Sequence, residues 1–371
     1  MIQGDCLEVL RETPSNSVDS VVTDPPYGLS KEPNITEVLT KWVSGEPYDH
    51  GHGGFMGKSW DSFVPHPDVW KEVYRVLKPG GHALVFAGTR TQDLMTIALR
   101  IGGFEVRDVV EWLYFSGFPK SMDVGKAFDK RAGAARVIVG KGTSGKTRQV
   151  LNAALYPDSF GGDYDLTAPA TELARKWDGW GTALKPAHEP IIVARKPLAG
   201  TVAKTVDKFG TGAINIDGCR IGRVEGDRTE YGVSGDEPSD VTAGIYGKFA
   251  ERLAYTPHDS GRFPANCVTT DEDAFYSPYF NVSPQNVSKK ASKRDRGVGN
   301  THPTVKPTDL MAWLVRLVTP PGGTVLDPFA GSGSTLVAAK REGFDWIGIE
   351  REPDYVEIIQ ARVRCAEGEA A

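Results

Sequence analysis

Three observations predict a doubly wound α/β fold. Short apolar strands near opposite ends of the chain, around Val21–Val22 and Val325–Leu326, each run straight into a turn of Asp, Pro or Gly. Strand and helix patterns alternate along the neighbouring chain. The C-terminal stretch reads strand, glycine-rich turn, helix, strand ending at Glu350, then helix, the βαβα order of a sheet covered on both faces.

Each element follows from its residues. "SVDSVVT" is a strand halted at Asp24-Pro25-Pro26-Tyr27, because two prolines remove backbone donors. "VWKEVYRVLKPGG" carries Val69, Val73, Val76 and Leu77 at helical spacing, with Pro79 and Gly80 as its stop. "HALVFAG", "DVVEWLYF" and "HEPIIVARK" are β-rich runs. Roughly 118–185 and 198–300 differ in texture: Gly, Pro, Asp, Ser and Lys are frequent and periodicity is weak, so both read as loop-rich insertions.

The bulk properties exclude several classes. A 371-residue chain with 40% hydrophobic residues can bury a proper core. No apolar run approaches the ~18 residues of a membrane span, and the N-terminus carries early acids, so neither membrane insertion nor secretion is expected. Cys6, Cys219, Cys267 and Cys365 form no CxxC pair, which fits a reducing cytoplasm better than a zinc knuckle or disulfide framework. His50 and His52 beside Asp49 match no ligand spacing, and no metal is expected. With a net charge of −5, any nucleic-acid partner must be held by local basic patches.

Asp24-Pro25-Pro26-Tyr27 presents a carboxylate, a stiffened backbone carbonyl and an aromatic ring within four residues. Asp24 and the Pro25 carbonyl can each accept one hydrogen of an aromatic NH₂ while Tyr27 stacks on the ring. Two such acceptors draw the nitrogen towards tetrahedral geometry and expose its lone pair to an electrophilic methyl. A plain strand-ending turn is the competing reading. The second constellation, Asp327-Pro328-Phe329-Ala330-Gly331-Ser332-Gly333, lets the backbone pass close to a ligand and opens a helix whose free N–H groups suit a carboxylate. Glu350 ends the next strand, where an acid can accept from two ribose hydroxyls. An adenosine cofactor with an amino-acid tail fits this unit; a dehydrogenase-type turn would have a third glycine where Leu336 stands.

At these residues the sequence resembles the S-adenosylmethionine-dependent DNA amino-methyltransferases, in the permuted group whose catalytic motif precedes the cofactor motif. The resemblance covers roughly 1–115, 180–197 and 301–365. It implies a circularly permuted Rossmann-like methyltransferase sheet, with Asp24, Pro25, Pro26 and Tyr27 as the catalytic tetrad. It also implies a cofactor site of Asp327, Phe329, Gly331, Gly333 and Glu350, with Asp5 and Cys6 near the adenine and Lys306 and Thr308 near the methionine end. Residues 1–197 then form the catalytic half, interrupted at about 118–185; 198–300 is the candidate target-recognition region, and 301–371 the cofactor half. Physically, the permutation needs the two chain ends side by side, with both motifs at the C-terminal edges of adjacent strands. The implied substrate is double-stranded DNA with its base flipped out, and a homodimer is compatible. Lys289, Lys290, Lys293, Arg294 and Arg296 are a candidate phosphate grip. Asp at position 24 leans towards adenine N6, with cytosine N4 as the alternative.

One motif competes. Gly140-x-x-x-x-Gly145-Lys146-Thr147 matches the phosphate loop of nucleotide hydrolases. Such an enzyme needs a downstream acid for Mg²⁺, and the good candidate, Asp327, already opens the glycine turn, so a loop with Lys141, Lys146 and Arg148 near DNA phosphates is the preferred reading. Cytosine C5 chemistry needs a nucleophilic cysteine after proline, and the four cysteines follow Asp5, Gly218, Asn266 and Arg364.

Overall fold

The computed structural model describes residues 1–29, 31–53, 59–114, 121–143, 163–221, 261–269, 285–286, 291, 293–297 and 299–368. In chain order the elements are β1 (Ile2–Gln3), α1 (Cys6–Glu12), β2 (Val18–Thr23), α2 (Ile35–Ser44), α3 (Pro67–Val76), β3 (Leu77–Phe86), α4 (Gln92–Ile101) and β4 (Glu105–Leu113). Next come α5 (Val124–Arg131), β5 (Val137–Thr143), β6 (Asp163–Ala168), α6 (Glu172–Lys176), β7 (His188–Arg195), α7 (Val202–Phe209), β8 (Cys267–Thr269) and β9 (Gln285–Asn286). The C-terminal part is α8 (Lys293–Arg296), α9 (Thr308–Val318), β10 (Thr324–Asp327), α10 (Ser334–Arg341), β11 (Asp345–Glu350) and α11 (Pro353–Gly368). Two compact units result, one of Met1–Phe115 with His188–Ala371 and one of Ser116–Ala187.

The first unit is built on one sheet of order β1-β11-β10-β2-β3-β7-β4-β8-β9. Neighbours pair in parallel except β7, which is antiparallel to both β3 and β4. All six residues of β2 are buried, as expected of a central strand covered on both faces. Leu10, Trp42, Trp70, Val73, Met95 and Leu99 pack from α1 to α4 on one face. Leu310, Leu314, Val315 and Ala338 cover the other from α9 and α10. The described residues between 198 and 300 belong to this unit, with β8 paired to β4.

One detail departs from the sequence reading. The helix over Pro67–Val76 does not stop at Pro79-Gly80; β3 begins at Leu77 and runs through both. The β2–β3 register shifts between Val18 and Ser20, so the Lys78–Gly81 segment bulges and Lys78 Nζ reaches the buried Asp19 at 2.6 Å. That contact, with the Thr324 amide at 2.9 Å, compensates a carboxylate inside the sheet. Gly80 takes φ +80° there, and a Cβ would strike Thr205.

The second unit pairs β5 with β6 as an antiparallel hairpin and packs α5 beside α6. Asp129 anchors it, accepting from Arg136 at 2.9 Å and from the Ala170 and Thr171 amides at 3.0 Å each. Gly140–Thr143, the first half of the nucleotide-loop match, is strand paired with Leu166 to Asp163. A phosphate loop leaves its strand before those residues, whereas here they remain paired strand. Gly145, Lys146, Thr147 and Arg148 lie outside the described residues.

Among the described residues, no helix is long and apolar enough to cross a membrane. Nor do three or more His, Cys, Asp or Glu side chains converge to hold a metal ion.

Candidate active site

The two motif turns stand together because β2 and β10 pair in parallel, with Ser20 opposite Val325 and Val21 opposite Leu326. Asp24 and Phe329 therefore emerge at the same sheet edge. Thr23 Oγ1 donates to Asp327 Oδ1 at 2.7 Å, and the Phe329 amide donates to the same oxygen at 3.1 Å. Burial pushes the Asp327 carboxyl up to about 6 against these hydrogen bonds. Asp327 is thus a buried brace joining the tetrad strand to the glycine turn. Phe329 packs against Trp70, with ring centroids 6.2 Å apart.

Around the tetrad the backbone is clamped. The Tyr27 amide donates to Asp61 Oδ1 at 2.8 Å, and the Tyr27 carbonyl accepts from Thr91 Oγ1 at 2.6 Å. Gly28 also donates to Asp61, at 3.3 Å. With Pro25 and Pro26 lacking donors, these bonds satisfy the turn without a sheet partner. Pro25 is buried, whereas Asp24, Pro26 and Tyr27 are half-buried. Tyr27 Oη donates to Asp24 Oδ1 at 2.8 Å and lies 3.1 Å from Glu189 Oε2. Burial, then the two carboxylates, hold its phenol well above the ordinary tyrosine range.

Lys306 joins this cluster. Its Nζ lies 2.6 Å from Asp24 Oδ2, 3.1 Å from Tyr27 Oη and 3.2 Å from Glu189 Oε2. Burial alone would lower the ammonium, but Asp24 and Glu189 outweigh it and hold the group above the ordinary lysine range. Tyr114, after β4, hydrogen-bonds Glu189, and its phenol is raised by burial and then by that carboxylate.

The glycine turn is built mainly of backbone. Gly331 N donates to Glu350 Oε2 at 2.8 Å, and Glu352 N donates to Oε1 at 2.9 Å. Burial raises the Glu350 carboxyl against these bonds. Gly331 and Gly333 take φ +53° and +80°; a Cβ on them would lie 3.1 Å from His302 Nε2 and 3.0 Å from Ile359. α10 starts at Gly333 with no side-chain cap. Arg362 reaches over from α11 to Ser332 Oγ at 3.0 Å and to the Asp295 carbonyl. Beside the turn, Gln3 pairs with Glu350 and Gly4 N donates to the Glu350 carbonyl at 3.0 Å. That brings Asp5 and Cys6 to the edge next to Glu350. Asp5 Oδ1 caps α1 by accepting from Leu7 N at 2.9 Å, and burial pushes the Cys6 thiol up to about 12.

Thr308 opens α9, is buried, and donates its amide to Asp295 at 3.1 Å. Of the basic run, Lys289 and Lys290 lie outside the described residues, Lys293 and Arg294 fall in α8, and Arg296 accepts at its carbonyl from Asn300 at 2.8 Å. Sequence reading missed Glu189, Tyr114, Asp61 and Thr91. The signal for Glu189 was the acid opening "HEPIIVARK", whose strand direction the sequence does not carry.

These residues fit S-adenosylmethionine. The turn's left-handed glycines carry no Cβ, uncapped helix amides lie next to them, and a carboxylate stands at the neighbouring strand end.

Comparison with known proteins agrees. A profile of the N6/N4 methyltransferase family, described as DNA methylase, matches residues 18–361, and the chain belongs to that family. The family's methyl donor is S-adenosylmethionine. The chain is 23% identical to type II methyltransferase M.HindIII of Haemophilus influenzae over 97% of its own length and 93% of the relative's. A shorter match, 46% identical over 17% of this chain and 23% of the other, is to type II methyltransferase M2.DpnII of Streptococcus pneumoniae. Among solved structures, the cytosine-N4-specific PvuII DNA methyltransferase aligns over 97% of this chain and 84% of its own at 17% identity, TM-score 0.46. A Thermus thermophilus DNA modification methylase complexed with S-adenosyl-L-methionine aligns over 98% and 94% at 17% identity, TM-score 0.43.

Proposed function

We propose that this DNA methyltransferase transfers a methyl group to the exocyclic N6 amine of an adenine flipped out of double-stranded DNA. The observation that supports this reading is the placement of Asp24 and the Pro25 carbonyl at one sheet edge beside the braced glycine turn. The clamp from Asp61 and Thr91 holds the tetrad so that its acceptors are preorganised. Asp24 and the Pro25 carbonyl accept the two amine hydrogens, and the half-buried Tyr27 ring stacks on the base. When bound, S-adenosylmethionine would supply an electrophilic methyl to the amine nitrogen, whose surplus proton would leave to water. Glu350 would hold the ribose, Asp5 and Cys6 would border the adenine, and the Gly331–Gly333 turn with the start of α10 would receive the amino-acid tail.

The order of the motifs, tetrad first and glycine turn last, is read as a circular permutation, and the pairing of β1 with β11 supports it. Unstacking the base is offset by contacts to the surrounding DNA. The Ser116–Ala187 unit is a suitable source: it holds eleven Lys and Arg against seven Asp and Glu in a chain of net charge −5. The enzyme is expected to work in the cytoplasm.

The test is mass spectrometry of nucleosides from unmethylated DNA incubated with the protein and S-adenosylmethionine. N6-methyladenine is the expected product. N4-methylcytosine would move the assignment to the other exocyclic amine, and absence of any methylated base would refute the reading.

A further inference from the structure

The resemblance puts Lys306 beside the methionine end of the cofactor, but its surroundings suit a different task. An ammonium has three hydrogens, and three oxygens stand around this one: Asp24 Oδ2 at 2.6 Å, Tyr27 Oη at 3.1 Å and Glu189 Oε2 at 3.2 Å. The faces of Tyr27 and Phe86 close the space, with centroids 5.3 and 4.8 Å from Nζ. Only 10% of the side chain is exposed. No donor of Lys306 is left over for a cofactor carboxylate.

The three oxygens come from segments far apart in the chain. Asp24 and Tyr27 follow β2, Glu189 lies at the beginning of β7, and Lys306 precedes α9. Asp24 spends one lone pair of Oδ1 on Tyr27 and one of Oδ2 on Lys306, which fixes the carboxylate plane and leaves each oxygen a second lone pair. Glu189 in turn holds Lys306 and is itself bonded by Tyr114.

We propose that Lys306 and Glu189 are positioning residues of the methyl-accepting amine site: Lys306 orients the Asp24 carboxylate and balances its charge, and Glu189 holds Lys306 on it. The proposal rests on Asp24 being the amine acceptor. Two carboxylates with one ammonium leave a single negative charge at the site, suited to a neutral amine that donates hydrogens. Without the ammonium, Asp24 and Glu189 would share the Tyr27 hydroxyl as like charges, and one of them would take up a proton as the pH falls. Among the described residues, the other ionisable groups facing Asp24 are Asp327 on β10, which adds to that repulsion, and His302, which its own burial keeps neutral with its titration lowered to about 4.

The experiment compares Lys306→Met, Lys306→Arg, Glu189→Gln and the Lys306→Met/Glu189→Gln double variant by kcat against pH and by calorimetric titration with S-adenosylmethionine. Lys306→Met is expected to lower kcat about a hundredfold, the scale of losing one preorganised electrostatic contact, with the cofactor dissociation constant within about twofold. Its acid limb should move up by about one pH unit, and the double variant should move it back. Lys306→Arg should recover part of kcat. Glu189→Gln, which keeps the lysine and its fold, should shift the acid limb down, so a Lys306→Met protein that does not fold leaves a test standing. An unmoved acid limb in every variant that folds, or a tenfold loss of cofactor affinity in Lys306→Met with kcat retained, would overturn the proposal. Asp24→Ala belongs in the same series: full turnover there would refute the acceptor assignment itself, whereas a dead Asp24→Ala beside an unaffected Lys306→Met refutes only the positioning role.

Discussion

The tetrad edge and the glycine turn are neighbours built by opposite means. At the turn, ligand-ready groups come from backbone within a few consecutive residues, with Gly331, Gly333 and the start of α10 supplying shape and Glu350 closing it. At the tetrad, the groups that surround Asp24 and clamp Tyr27 are side chains from distant segments: Lys306 and Glu189 at the Asp24 cluster, and Asp61 on the Tyr27 amide. A backbone site is fixed by local geometry and fails by steric change. A side-chain site is fixed by the sheet topology and fails by charge or hydrogen-bond change.

Substitutions can break that contrast. The largest effect short of removing Asp24 is expected at Tyr27→Ala, which deletes the stacking ring and three contacts of the cluster, to Asp24, Glu189 and Lys306. Stacking contributes about 1–3 kcal/mol per base, about 5- to 150-fold, and with the lost cluster contacts added DNA affinity and turnover together should fall by about a hundredfold or more. Tyr27→Phe, which keeps the ring, should fall much less, and steady-state kinetics on unmethylated DNA distinguishes the two. Next is Asp61→Ala: loss of charge-assisted bonds to the Tyr27 and Gly28 amides should cost about 1.5–3 kcal/mol, seen as a ten- to hundredfold drop in kcat with cofactor affinity unchanged.

Gly331→Ala should act in the opposite sense. A left-handed alanine costs about 1–2 kcal/mol, and its Cβ would press on His302, so S-adenosylmethionine should bind about tenfold more weakly by calorimetry while DNA binding alone is unchanged. The smallest effect on turnover is expected at Asp327→Asn, whose readout is stability. The Asp327 carboxyl titrates at about 6 in the folded protein, above its unfolded value of 3.8. The folded state therefore binds the extra proton, and this contribution is present at low pH and lost as pH rises from about 4 to about 6. Wild type should melt progressively less favourably than Asp327→Asn across that window, with a difference of up to about 3 kcal/mol, and equal pH slopes would count against the brace being a strained carboxylate.

The same contrast explains what could be read before the fold was known. The glycine turn was legible because its chemistry lies in one stretch, Asp327 to Gly333, followed by a helix and the strand ending at Glu350. The tetrad was legible for the same reason. Glu189 was not, although its strand was: β7 runs antiparallel, so its beginning lies at the edge where β2 and β10 end, and hydrophobic patterning carries no strand direction. Lys306 was found but given the cofactor, because only the folded sheet brings it to Asp24. The nucleotide-loop match failed for a topological reason as well, since Gly140–Thr143 continue a hairpin strand.

The most direct test of amino-methyl transfer at this edge is a single-turnover measurement with Asp24→Ala protein, loaded with methyl-labelled S-adenosylmethionine and mixed with unmethylated DNA. Cofactor binding at wild-type stoichiometry with label absent from the DNA is the expected result. Label entering DNA at the wild-type rate would contradict it.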